Sequence, residues 1–121
     1  MFDGYVGIDD GNLFIGEDNI VVWGDQTRPS SGLYDPVVGS FLNSATMTFT
    51  LKNSAGSAVT LASAISMTYI TGTNGCYSGI LEDGVSLTEN ATYYLEITAT
   101  VTSDRVGFRR IEYTARYHGA D

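Results

Sequence analysis

Six carboxylates fall within the first 25 residues, at Asp3, Asp9, Asp10, Glu17, Asp18 and Asp25, with no Lys or Arg among them. Clustered carboxylates are the raw material of a calcium site, which takes roughly six to eight oxygen ligands. The stretch "DDGNLFIGED" lacks the alternating oxygens, central Gly and terminal Glu of an EF-hand loop, so it reads as acidic turns and not as a metal site. His118 stands alone, and no nucleophile–base pattern surrounds it, which leaves no triad and no three-histidine zinc site. Glu82 and Asp83 are adjacent acids before a Gly, the composition of a turn and not of a glycosidase pair. Cys76 is the single cysteine, so neither an internal disulfide nor a thiolate zinc site can form. No phosphate loop, dinucleotide fingerprint or nucleophile elbow is present. The residues therefore predict no enzyme, no cofactor and no metal.

Charge points instead to surfaces. Four of the six basic residues, Arg105, Arg109, Arg110 and Arg116, lie in the last strand region. Acid at one end of the chain and base at the other suit head-to-tail contact between copies. Asp9, Asp10, Glu17 and Asp18 with those four arginines are the candidate assembly contacts. The competing reading pairs the arginines inside the sheet, for instance Arg110 diagonally with Glu96. Aromatic rings offer another kind of site. Tyr34 and Tyr94 are the candidate ligand-facing aromatics for a sugar platform, against a reading in which most rings sit in the core or at its polar margin. The formal net charge of −8 argues against nucleic acid and against anionic lipid.

The elements that must carry these residues are short strands. The 121 residues suit one domain with a real core, and 43% of them are hydrophobic. No apolar run reaches the roughly 18 residues of a spanning helix, and no secretory signal opens the sequence. Residues 1–18 read as an irregular Gly/Asp-rich segment, an arm or a first short strand, ahead of a β-domain over 19–121. "NIVVWGD" reads as a buried strand, and 26–44, with Pro29 and Pro36, as the longest loop. In "TMTFTLK", Met47, Phe49 and Leu51 alternate with threonines. "SAVTL" reads as its returning strand, with a short turn near Leu61–Ala64. Ile65, Met67 and Tyr69 share a face of the next strand, and "CYSGIL" follows.

The strongest segment is "TYYLEITATV". Tyr93, Leu95, Ile97, Ala99 and Val101 lie on one face, and Tyr94, Glu96, Thr98 and Thr100 on the other. The returning "VGFRRIEYTARYH" slips phase: Val106 and Phe108 have one parity, and Ile111, Tyr113, Ala115 and Tyr117 the other. One extra residue near Arg109–Arg110 repairs the slip, which predicts a β-bulge there, with Ala99 facing Phe108 and Ile97 facing Ile111. Seven or so short strands with frequent turns imply an antiparallel sandwich or barrel.

"ATMTFTLKNSAGSAVTLASAISMTYI", "GCYSGILEDGVSLTENATYYLEITATV" and "GFRRIEYTARY" resemble the small immunoglobulin-like β-domains of tailed-phage and prophage virion genes, such as the N-terminal domain of phage baseplate upper proteins. The matching positions are Thr48 to Val59, Ile65 to Tyr69, Tyr77 to Leu81, Leu87 to Ala99 and Ile111 to Tyr117. The resemblance implies an all-β, antiparallel immunoglobulin-like sandwich of about seven or eight strands. It also implies a non-enzymatic structural subunit of a tail, baseplate, neck or head accessory, located in the virion and, during assembly, in the bacterial cytoplasm. Its partners would be other virion proteins and further copies of itself. The alternative function is a carbohydrate-binding module for a host-surface glycan.

Overall fold

The computed structural model describes residues 6–8, 11–25, 27, 31–102 and 104–117. Every regular element among them is a strand: β1 (Val6–Ile8), β2 (Leu13–Phe14), β3 (Asn19–Trp23), β4 (Tyr34–Asp35), β5 (Ser40–Phe41), β6 (Thr46–Asn53), β7 (Ile65–Tyr69), β8 (Tyr77–Leu81), β9 (Thr92–Val101) and β10 (Asp104–Arg116). Eight form one sheet in the order β1-β3-β8-β7-β6-β9-β10-β2, while β4 and β5 pair as a separate hairpin. The eight-stranded sheet is mixed, because β2 runs parallel to β10. That departs from the all-antiparallel expectation.

The sheet folds over at β7. Its first half pairs with β6 through Met47↔Met67 and Phe49↔Ile65, and its second half pairs with β8 through Thr68↔Ser78 and Tyr69↔Tyr77. One strand thus belongs to both halves. The halves close on a shared core: Val21 and Trp23 of β3, Tyr77 and Leu81 of β8, Phe49 and Leu51 of β6, and Leu95 and Ile97 of β9 are all essentially buried. The period-2 reading of β6, β7 and β9 holds up to Ala99, since the apolar members are covered and the residues between them are wetter; Val101, expected on the same face, is exposed at the end of β9.

Residues 1–18, read as an irregular segment, an arm or a first short strand, contain two short strands: β1 and β2 are hydrogen-bonded into the main sheet and bury Val6, Ile8 and Leu13. They occupy its two opposite edges while lying next to each other in sequence. The Tyr113 hydroxyl accepts a 2.8 Å hydrogen bond from the Ile8 N–H, which brings β1 against β10. At the other side, Ile15 N–H donates to the Arg116 carbonyl. The Asn19 side chain then holds the turn into β3 by accepting from Phe14 N–H and donating to Phe14 O, both at 2.9 Å.

The β9–β10 hairpin corrects the expected bulge. The register slips between Arg105 and Gly107, so Val106 is the extra residue, and Arg109–Arg110 is regular. Ala99 therefore opposes Gly107 and Ile97 opposes Arg109, while Leu95 opposes Ile111. The cause is Trp23. A Cβ on Gly107 would lie 3.1 Å from Trp23 Cη2 and 3.1 Å from Leu33 Cδ1, so residue 107 faces the core in a space that a side chain could enter only by displacing Trp23 and Leu33. Phe108 is thereby turned to the outer face. "SAVTL" also departs from expectation: it returns only as an isolated bridge, Lys52↔Ala58. Leu61 and Ala64 then take left-handed φ values of 69° and 51°, in the turn predicted at 61–64.

Gly107→Val forces two branched methyl groups against Trp23 and Leu33. It should lower stability by about 1–3 kcal/mol, read from the urea midpoint, whereas Phe108→Val on the outer face should cost less than half as much.

Candidate functional site

The predicted contacts do not gather into one patch. Asp9 and Asp10, like Asp3, Tyr5 and His118, lie outside the described residues. Glu17 and Asp18 sit in the turn between β2 and β3, where Asp18 Oδ1 accepts the Asp83 N–H at 2.9 Å. This ties the two acidic turns together at one end of the sheet. Glu82 and Asp83 are exposed there, beside Leu61.

The four arginines face different surroundings. Arg110 is opposite Glu96, with Nε 3.5 Å from Oε2, and Lys52 Nζ lies 2.9 Å from Oε1 of the same carboxylate. The pairing within the sheet is thus directly cross-strand and not diagonal, and one Glu is shared by cations from two neighbouring strands. Arg110 also covers the Tyr94 ring at 4.3 Å, and Arg105 covers Phe108 at 4.9 Å. Arg109 has the inward parity. Its guanidinium lies 5.2 Å from the Trp23 ring centroid and donates to the Phe108 carbonyl at 2.9 Å. Arg116 is half-buried beside β2.

Tyr34 and Tyr94 stand on different elements. Tyr94 is near the start of β9, level with Lys52 and Glu112. Tyr34 belongs to the β4–β5 hairpin, whose base, Leu33, packs beside Gly107 towards the opposite end of β9. Tyr34 meets Phe41 edge to face, with centroids 5.1 Å apart. Three other tyrosines hold loops. Tyr77 is buried, donates to Leu42 O at 2.6 Å and accepts from Ala45 N–H at 3.0 Å. Tyr93 accepts from Thr88 N–H, and Tyr69 donates to Thr73 O.

The hairpin is the feature that the sequence reading missed. Asp35 Oδ1 accepts the Val37 N–H at 2.9 Å, and Gly39 N–H closes onto Asp35 O at 2.7 Å with φ +83°. This fixed turn holds Val37 and Val38 out at its tip, with 93% and 69% of their surface exposed. Asp-Pro-Val-Val-Gly between Tyr34 and Ser40 carries the signal: Asp caps the turn, Pro fits its first corner and Gly takes the positive φ. Reading both prolines as breakers concealed it. A second apolar pair, Ile20 and Ile80, is cross-strand on the outer face of β3 and β8, each about half exposed at 49% and 50%.

Among the described residues no group of three or more His, Cys, Asp or Glu side chains is placed to hold a metal ion, and no helix is long and apolar enough to cross a membrane. No protein family, curated protein or solved structure matches this chain.

Two buried groups have displaced titrations. Burial pushes the Cys76 thiol above its ordinary value of 9.0, against a Thr73 hydrogen bond that lowers it, and the Asp25 charge adds to the rise. Burial likewise pushes the Tyr77 hydroxyl above 10.0, against the Ala45 N–H. Both groups bind their proton more tightly in the folded chain. Their contribution to stability is therefore complete below the unfolded values and is lost as pH rises through the folded ones. The urea midpoint should fall as pH rises above about 9, and Cys76→Ala with Tyr77→Phe should flatten that fall.

Proposed function

We propose that this protein is a non-enzymatic structural subunit of a tailed-phage or prophage particle, built on an immunoglobulin-like sandwich and acting through protein–protein contact. Strand order supports the fold reading. The series β1-β3-β8-β7 corresponds to strands A-B-E-D of an immunoglobulin-type sheet, and β6-β9-β10 to C-F-G. The early strand is divided, with β1 on the first layer and β2 on the second. Tyr93 supports it too. It lies at the start of the F-equivalent strand, and its hydroxyl bonds back to the Thr88 N–H five residues upstream, the arrangement of a tyrosine corner.

The observation that carries the functional reading is the β4–β5 hairpin. A turn fixed by Asp35 that presents two valines to water loses free energy in an isolated chain and regains it when a neighbour covers the tip. The net charge of −8 fits protein partners better than nucleic acid or anionic lipid. Other virion proteins and further copies of the chain are the proposed partners, met in the bacterial cytoplasm and retained in the virion. A glycan platform has weaker support, since Tyr34 and Tyr94 are apart and Arg110 lies over the Tyr94 ring.

The test is incorporation. Particles from a host producing the full chain, or its Val37→Asp/Val38→Asp variant, are banded on a density gradient and analysed by mass spectrometry. Wild-type protein should band with particles. The double variant should stay with soluble protein while keeping its thermal midpoint, because both side chains already face water. Wild-type protein absent from the particles overturns the proposal.

A further inference from the structure

The loop from β7 to β8 contains an Asn–Gly pair, Asn74–Gly75, with Asn74 exposed. Asn–Gly is chemically restless, because a Gly nitrogen, unhindered by any side chain on its own residue, can attack the preceding side-chain amide. The new N–C bond closes a succinimide and ammonia leaves. Water then opens the ring to aspartate or isoaspartate. Attack needs the Gly75 nitrogen free to approach Asn74 Cγ.

In the folded chain that nitrogen is engaged. Gly75 N–H donates to Asn43 Oδ1 at 2.7 Å, across from the segment that follows β5. Gly75 O accepts the Leu33 N–H at 2.8 Å. The backbone around it has no slack. Gly75 holds φ +75°, a Cβ there would lie 2.6 Å from Leu33 O, and a Cβ on Gly32 would overlap the Asn74 carbonyl. Two segments, 31–33 and 42–45, therefore clamp one peptide unit of the loop 71–76.

We infer that Asn74–Gly75 is a covalent modification site, open to deamidation through a succinimide, and that Asn43 holds it closed in the folded protein. Deamidation at Asn74 then records how often segment 31–45 lifts from the loop, because reaction follows the population of the open form when opening and closing are fast. The inference is independent of the assembly reading.

The test is the rate of deamidation of the full chain at neutral pH. It is read as isoaspartate and mass gain in the chymotryptic peptide Ile70–Tyr77. Asn43→Ala deletes one hydrogen bond to the reacting nitrogen and should react about five- to tenfold faster than wild type. Asn43→Asp keeps the acceptor and should restore the slow rate. Native wild type should be slower than the same chain in urea. A folded Asn43→Ala variant that reacts at the wild-type rate overturns the role of Asn43. Equal rates in native and urea-unfolded wild type overturn the clamp itself, and this comparison decides even if the alanine variant does not fold.

Discussion

The structure depends on how its sheet is closed. An open eight-stranded sheet has two edges of unpaired backbone, each a template for unwanted pairing. Here the two edge strands, β1 and β2, are neighbours in the chain, so one short stretch supplies both edges. The Ile8–Tyr113 hydrogen bond ties β1, at one edge, to β10, next to the other. With the segment committed to its own sheet, Val6, Ile8 and Leu13 become core, and the acidic turn at Glu17 and Asp18 is fixed beside Glu82 and Asp83.

Within that frame the tyrosines act as fasteners. Tyr69, Tyr77, Tyr93 and Tyr113 each put a ring into or beside the core and a hydroxyl onto the backbone of a different segment. A ring of this kind contributes apolar burial and also satisfies a backbone group that would be costly to leave unpaired. This is why a domain with few regular loops keeps definite loop positions.

Much of the fold was legible where one physical rule dominated. Strands β6, β7 and β9 have one wet and one dry face, so period 2 located both. The slip in β10 was legible as a slip, but its place was not. It depends on the bulk of Trp23, some eighty residues away, pressing on Gly107. Strands of two or three residues, such as β1 and β2, carry too little pattern to read, and their pairing comes from tertiary contacts. The arginines could be sorted only partly. Glu96 was legible as a partner of Arg110, though directly opposite it and not diagonal, but the inward parity of Arg109 was hidden by placing the bulge at Arg109–Arg110 and not at Val106. The hairpin was hidden because Pro36 was weighed as a breaker and not as a corner.

The closing seam also sets an order of events. Ile8 and Tyr113 are separated by 105 residues, and loop closure over such a distance comes late and slowly. On the ribosome, β3 and β6–β8 are already made while β10 is still unsynthesised. During that interval β1 can pair with β3, but β2 has no strand to join. The seam therefore marks completion: β2 finds its place only after β10 has emerged.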